Sequence, residues 1–235
     1  MSAPADELFP DAADASEALG VPQVLRPGAV LVRGALDRDE QAALVARCRA
    51  WAQPPAGMRA TRMPNGAVMS ARTVCLGWYW YPYRYSRTVD DGEGGPVKPF
   101  PTELVPSTRR LLAQADPAGT WWDAAAYEPD VALVNFYDRD AKMGLHQDKD
   151  ERGLAPVVSL SLGDDGVFRF GNDTDRKRPW HDVVLRSGDL FVFGGPARLA
   201  YHGVLRIDPG TGPNEEIGMG EGRLNLTIRE SGLPG

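Results

Sequence analysis

From Val131 to Arg229 the chain is a succession of short apolar runs, each closed by a turn. The runs are Val131–Tyr137, Val157–Leu162, Val167–Phe170, Asp182–Leu185, Leu190–Phe193, Ala200–Ile207 and Arg223–Arg229. Gly163-Asp164-Asp165-Gly166, Ser187-Gly188-Asp189 and Gly194-Gly195-Pro196 separate several of them. Glycine and proline supply the backbone angles that turns demand, and aspartate supplies a local acceptor. Strands this short, with no helical pattern between them, do not make a βαβ sheet and predict a sandwich or barrel. The expected class is mainly β with flanking helices.

Upstream, the pattern is mixed. A strand is expected around Val24–Val32, interrupted by Pro27-Gly28. Asp37 followed by Glu40 reads as a capping box. Behind it, Leu44, Val45, Cys48 and Trp51 share one helical face, and Pro54-Pro55 end that helix. Residues 57–101, rich in Gly, Pro and aromatics, read as loops and hairpins. A second helix is expected after Pro106, carrying Leu111, Leu112 and Ala115. With 235 residues, 43% of them hydrophobic, the chain suffices for one core. The expected organisation is an acidic flexible tail over 1–20 and a single domain over 21–235. That domain divides into an N-terminal extension (21–130) and a strand-rich core (131–235).

Several function classes are excluded by absence of pattern. There is no run of 18 uncharged apolar residues and no basic n-region, so neither a membrane span nor a secretory signal is expected. Cys48 and Cys75 are too few for a disulfide framework or a thiolate zinc site, which points to buried thiols in a reducing, cytoplasmic setting. No Gly-rich phosphate loop or nucleophile-elbow motif occurs. Net charge is −6, yet residues 41–89 hold seven arginines, no acid and seven aromatics. Such a local patch suits an anionic partner despite the acidic whole, although aromatics packed as core would leave the same trace.

The chain has three histidines, His146, His181 and His202. In extended backbone His146 and Asp148 point to one side, so both can reach one ion. A second imidazole completes a two-histidine, one-carboxylate triad, which suits iron(II) and leaves three cis positions open. His202, in Tyr201-His202-Gly203, is preferred over His181, which follows an exposed loop over 173–178. The stretch Arg223-Leu224-Asn225-Leu226-Thr227-Ile228-Arg229 alternates, with Arg223, Asn225, Thr227 and Arg229 on one face. Facing inward, that side could bind a dicarboxylate through the planar forks of two arginines. Asn135 and Tyr137 are a further inward-facing pair on the strand leading to His146.

Taken together, Asn135-Phe136-Tyr137, His146-Gln147-Asp148-Lys149-Asp150-Glu151, Val158-Ser159-Leu160-Ser161-Leu162-Gly163, Gly188-Asp189, Tyr201-His202-Gly203 and Arg223 to Arg229 resemble the AlkB family. A fainter match, Leu76-Gly77-Trp78 with Tyr83-Arg84-Tyr85-Ser86, extends it upstream. The resemblance implies a double-stranded β-helix (jelly roll) with an N-terminal nucleotide-recognition lid. It implies iron(II) on His146, Asp148 and His202, and 2-oxoglutarate on Asn135, Tyr137, Arg223, Asn225, Thr227 and Arg229, with O2 as oxidant. It further implies that Trp78 stacks on the damaged base, that Tyr83 and Tyr85 line the substrate entry, that Asp150 meets the exocyclic nitrogen, and that Arg176 contacts substrate. The implied activity is oxidative demethylation of 1-methyladenine and 3-methylcytosine in single- or double-stranded DNA, or in RNA, by a monomeric cytoplasmic enzyme. Two other readings fit less of the pattern: an oxygenase acting on a protein or small molecule, and a catalytically silent jelly-roll binding module. The Arg- and aromatic-rich segment speaks against the first, and the complete triad with its arginine strand against the second.

Overall fold

The computed structural model describes residues 18–89 and 94–234; the acidic residues of the expected tail, Asp6 to Glu17, lie outside the described residues. The chain runs through β1 (Pro22–Arg26), β2 (Ala29–Val32), α1 (Arg38–Trp51), β3 (Arg59–Arg62), β4 (Val68–Leu76), β5 (Tyr79–Tyr81), β6 (Arg84–Ser86), β7 (Thr88–Val89) and β8 (Gly95–Pro96). It continues through α2 (Leu104–Ala115), β9 (Val131–Tyr137), β10 (Met143–His146), β11 (Val157–Gly163), β12 (Asp165–Gly171), β13 (Trp180–Leu185), β14 (Leu190–Phe193), β15 (His202–Asp208) and β16 (Arg223–Arg229).

Two antiparallel sheets face one another. The larger has the order β1-β2-β14-β11-β16-β9-β4-β3 and the smaller β10-β15-β12-β13. From β9 onward neighbours in space are mostly distant in sequence, as in a jelly roll, because the chain crosses between the sheets after every strand except β12, which pairs with β13. The outer face of the large sheet is apolar at every second residue. Val30, Val32, Val134, Val158, Leu160 and Leu226 pack there against Leu44 and Val45 of α1 and Leu111 and Leu112 of α2. Between the sheets lies a second apolar cluster, built on Leu31, Phe168, Phe170, Phe191 and Phe193. It fills one end of the sandwich and leaves the other end to polar groups.

The two helices form for reasons visible in the chain. Asp37 accepts from the Glu40 amide at 2.8 Å, and Glu40 accepts from the Asp37 amide at 3.0 Å, so both halves of the capping box are made. The second helix starts at Leu104, before Pro106, because an amide within the first helical turn lacks an intrahelical partner and proline forfeits nothing there. The strand expected at Val24–Val32 is a hairpin, β1–β2, broken at Pro27-Gly28. The largest departure lies in the region read as loops and hairpins. There β4 is a nine-residue strand pairing with β9, from Arg72↔Phe136 to Leu76↔Ala132. Beyond it, β5–β6 is a separate two-stranded hairpin. It rests on a small cluster of Cys75, Trp78, Tyr79, Val89, Val131 and Leu133.

The turn between β4 and β5 requires glycine. Gly77 has φ +81°, and a Cβ there would sit 1.9 Å from the Asp130 carbonyl oxygen. Cys48 and Cys75 are both buried, and burial pushes the Cys48 thiol up to about 12. Among the described residues no helix is long and apolar enough to cross a membrane.

Leu226 is wholly buried at the centre of β16, between the two helices and the polar chamber. Leu226→Ala should cost about 2–5 kcal/mol through lost burial and the cavity left behind. Urea denaturation reads this directly; an unchanged midpoint would show that β16 does not bear on the core as described.

Candidate metal centre and cosubstrate pocket

β10 and β15 pair so that His146 stands directly opposite His202. Their imidazole centroids are 4.4 Å apart. The close approach depends on Gly203, where a Cβ would meet the Met143 carbonyl oxygen at 2.5 Å. Asp148, just past the end of β10, turns its carboxylate between the two rings. His146 Nε2 is 3.6 Å from Asp148 Oδ1, and His202 Nε2 is 3.7 Å from Asp148 Oδ2. Ligand atoms of all three lie within 4.8 Å of one another, and this is the metal-ligating cluster found among the described residues. Each imidazole uses Nδ1 on a backbone carbonyl, Gly144 for His146 and Ala200 for His202, both at 2.9 Å. That fixes the Nδ1–H tautomer and leaves the Nε2 lone pairs aimed into the gap. His181, the competing candidate, sits on β13 opposite Phe170 and is not part of the cluster.

The electrostatics favour ligation. Burial pushes the His202 imidazole down to about 4, and His146 adds to this against the pull of Asp148, so His202 is neutral near pH 7. Burial alone would raise the Asp148 carboxyl. Arg229, then His202, His146 and Arg198, outweigh it and hold the group well below the usual carboxylate range.

The polar face of β16 is turned inward as the alternation predicts. Arg229 Nη2 contacts Asp148 Oδ2 at 2.8 Å and Nη1 donates to Glu151 Oε1 at 2.9 Å. Arg223 donates to Ser161 Oγ at 2.6 Å and to the Leu185 carbonyl at 3.0 Å. Asn225 Nδ2 donates to Ser159 Oγ at 2.7 Å, and Thr227 Oγ1 donates to Asn225 Oδ1 at 2.8 Å. Asn135 Oδ1 accepts from Thr73 Oγ1 at 2.7 Å, while the buried Tyr137 hydroxyl faces Met143 Sδ at 3.7 Å. These residues, with His146, His202, Phe168 and Phe193, enclose an inner chamber of about 50 Å³. Arg223 Nε and Arg229 Nε are buried and carry no hydrogen bond, and Asp148 Oδ2 has its ion pair but no aligned donor. Two guanidinium groups with spare N–H on one strand fit an acid with a carboxylate at each end, and a carboxylate oxygen kept from donors fits a cation.

The chamber opens into a cleft of about 360 Å³, lined by Met63, Met69, Trp80, Tyr83, Asp150, Arg176 and Tyr201 among others. Its size lies within the range of small-molecule sites. Tyr83, 68% exposed, stands at its lip, and the Arg176 guanidinium lies 5.7 Å from the Tyr201 ring. Two expectations need correction. Trp78 does not line the cleft. It is buried beneath the hairpin, its Nε1 donating to Asp130 Oδ2 at 2.9 Å and Arg87 stacked 3.6 Å from its ring. The turn at Gly77 carries the indole into the seam beside β9. Trp80 stands on the cleft wall instead, its Nε1 donating to Asp150 Oδ2 at 2.8 Å. Tyr85 is not at the entry either. Its hydroxyl donates to Glu151 Oε1 at 2.6 Å and accepts from Arg229 Nη1 at 3.0 Å, so it braces Arg229 from behind.

Glu151 and Arg198 escaped the sequence reading. The Glu151 side chain is completely buried and ion-paired to Arg229 and to Arg198, the latter at 3.0 Å. Arg198 also donates to the backbone carbonyls of Asp148 and Ala155. Within Lys149-Asp150-Glu151-Arg152 nothing distinguishes the buried acid from its solvated neighbours. Ser159 and Ser161 also escaped the sequence reading, although the alternation Val158-Ser159-Leu160-Ser161-Leu162 carries a signal that could have marked them as inward partners for β16.

Residues 28–229 match the 2OG-Fe(II) oxygenase superfamily. The alpha-ketoglutarate-dependent dioxygenase AlkB of Salmonella typhimurium is 37% identical over 230 residues, covering 96% of this chain and 97% of that protein. The chain belongs to the AlkB family. The fold of OsALKBH1 superposes with a TM-score of 0.73 at 36% identity, covering 88% of this chain and all of that one. The DNA N(6)-methyladenine demethylase ALKBH1D of Arabidopsis thaliana is 35% identical over 223 residues, 88% of this chain. The AlkB-family chain spans about half the length of that relative and of its paralogue ALKBH1C. Its family brings iron(II), 2-oxoglutarate and dioxygen to the site whose geometry accommodates them.

His146→Ala or Asp148→Ala should abolish tight iron(II) binding in an anaerobic titration; undiminished binding would remove that residue from the ligand set. Arg229→Lys keeps the charge and loses the fork. It should raise the 2-oxoglutarate concentration needed for half-saturation by about tenfold or more, with an unchanged titration placing the acid elsewhere.

Proposed function

We propose that the chain is an oxidative demethylase that repairs N-alkylated bases, 1-methyladenine and 3-methylcytosine, in DNA or RNA. The observation that carries this reading is the continuity of three compartments. The His146, Asp148 and His202 triad lies between a chamber fitted for a dicarboxylate and an aromatic cleft wide enough for a base. Bound iron(II) with 2-oxoglutarate and dioxygen supplies the oxidation, by which the methyl group is hydroxylated and leaves as formaldehyde while the cosubstrate leaves as succinate and CO2.

The side chains do the remaining work. His146, Asp148 and His202 would hold the metal. Arg223 and Arg229 take the two ends of the cosubstrate, with Asn135, Tyr137, Asn225 and Thr227 closing around its middle. Phe168 and Phe193 pack against His202, at 5.8 and 4.8 Å between ring centroids, and keep water from that flank. A methyl on the pairing edge is reached only when the base leaves the stack, which costs a few kcal/mol and less when methylation has already broken pairing. Trp80 and Tyr83 on the cleft wall offer faces on which a base can stack, a contact worth about 1–3 kcal/mol. A cationic lesion also gains from these faces and from the carboxylate of Asp150. The β5–β6 hairpin then serves as the recognition lid, and Arg62, Arg72 and Arg84, all exposed, serve as phosphate contacts. Several arginines of this segment are engaged within it. Arg59 lies over Tyr79, Arg72 over Phe136 and Arg84 over Tyr81, at 4.0, 4.9 and 4.3 Å from the rings. Stacked on Phe136, the Arg72 guanidinium keeps its outer edge for a phosphate.

N(6)-methyladenine is a second substrate reading, favoured by the activity named for the Arabidopsis relatives at 35% identity. Both readings are tested by incubating two oligonucleotides, one with a single 1-methyladenine and one with a single N(6)-methyladenine, with protein, iron(II), ascorbate and 2-oxoglutarate. The expected outcome by mass spectrometry is loss of one CH2 from the first oligonucleotide. Loss from the second alone would transfer the activity to the exocyclic position, and loss from neither would end the demethylase reading. Affinity for the oligonucleotide should also fall steeply with salt.

A further inference from the structure

We propose that Trp80 is a positioning residue that sets the lesion preference of the cleft by locking the orientation of the Asp150 carboxylate. This deepens the reading of the same site as a demethylase and rests on it.

Trp80 is held at three points. Its amide donates to Cys75 Sγ at 3.4 Å, its carbonyl accepts from Arg59 Nη2 at 3.5 Å, and it stands opposite Tyr85 in the β5–β6 register. The backbone that carries the indole is therefore tied to β4 and to β3. From this frame Nε1 donates to Asp150 Oδ2 at 2.8 Å, and both side chains face the cleft. An indole N–H only donates and an ionised carboxylate only accepts, so the pair has one possible polarity. Among the described residues Asp150 Oδ1 has no hydrogen-bond partner. The indole thus consumes one oxygen and fixes the carboxylate plane, and the second oxygen is presented to the cleft as a pure acceptor.

An acceptor fixed beside purine C6 or pyrimidine C4 sorts methylated bases by the exocyclic group on that carbon, the neighbour of the methylated ring nitrogen on that side. In 1-methyladenine and 3-methylcytosine that neighbour is an amino group, a donor. In 1-methylguanine and 3-methylthymine it is a carbonyl, which would leave two acceptors facing each other in a closed cleft. A site built to receive an N–H rejects the analogue without it, because its own polar group is then buried unpaired. Without the indole N–H, the carboxylate rotates about its terminal torsion, which has no sharp preference of its own. The discrimination then weakens even though Asp150 is still present.

The test compares oligonucleotides that differ only in carrying 1-methyladenine or 1-methylguanine, using the iron-loaded enzyme. Two quantities are read: kcat/KM for each, and anoxic binding by fluorescence anisotropy with 2-oxoglutarate present. Trp80→Phe keeps an aromatic face and removes the donor. It should lower the preference for 1-methyladenine about tenfold in both quantities, while half-saturation by 2-oxoglutarate stays as in the parent chain. The substitution Asp150→Asn gives the sharper outcome. With Trp80 in place, the indole N–H pins the amide oxygen and turns the NH2 toward the base, so the preference should swing toward 1-methylguanine. In the double variant Trp80→Phe/Asp150→Asn the amide is free to flip and that swing should be lost. A ratio untouched by Trp80→Phe, or an equal swing in the single and double Asp150→Asn variants, overturns the role of Trp80. If Trp80→Phe does not fold, Trp80→Leu, which also lacks the indole N–H, takes its place in both comparisons, with the same outcomes deciding. Parent enzyme that demethylates neither oligonucleotide overturns the demethylase reading itself, and this inference with it.

Discussion

The structure turns on a set of charges buried together. Asp148 and Glu151 pair with Arg229 and Arg198 at 2.8 to 3.0 Å, and two imidazole nitrogens stand 3.6 and 3.7 Å from the Asp148 carboxylate. Removing any one partner would strand its neighbours in a low-dielectric interior, at a cost of about 3–5 kcal/mol. The cluster therefore behaves as one object. The same Arg229 that faces the cosubstrate chamber holds the metal-binding carboxylate and, through Tyr85, the hairpin that roofs the cleft. Metal, cosubstrate and substrate compartments are linked by hydrogen bonds, not by mere proximity.

Such a cluster survives only because the rest of the sandwich is strongly apolar. The large sheet packs one face on two helices, and the Phe168, Phe170, Phe191 and Phe193 rings fill the far end between the sheets. Polar groups can then be concentrated at one end without opening the core to water. The long loop over 209–222 is fastened to this scaffold by a second buried carboxylate. Asp164 accepts from the amides of Gly210, Gly212 and Gly222 and from Asn214 Nδ2, at 2.9 to 3.2 Å. This fastening sits beside Arg223, which also donates to the Asp164 carbonyl, so it stiffens one wall of the chamber.

The strand boundaries of the catalytic half were legible because alternation and turn residues are local signals. Val131–Tyr137, Leu190–Phe193 and Arg223–Arg229 begin and end where the pattern does. The metal ligands were legible for a different reason. With three histidines in the chain, and one of them two residues from an aspartate, few combinations were open. The aromatic segment was not legible in detail. Trp78, Tyr79, Trp80, Tyr81, Tyr83 and Tyr85 are chemically near-equivalent, and which of them is core, brace or cleft wall depends on the turn at Gly77 and the pairing of β5 with β6.

From the sequence alone follow the β-rich class, the inward face of β16 with its two arginines, and the histidine–aspartate cluster, because each is written in residue type at short spacing. Tertiary structure alone decided that Trp80 replaces Trp78 on the cleft wall, that Tyr85 braces an arginine, and that Glu151 and Arg198 complete the charge cluster. The physical reason is that burial and counter-ion choice depend on what arrives from other strands. Glu151 meets Arg198 and Arg229 from 47 and 78 residues away, and no local pattern in the chain encodes that meeting.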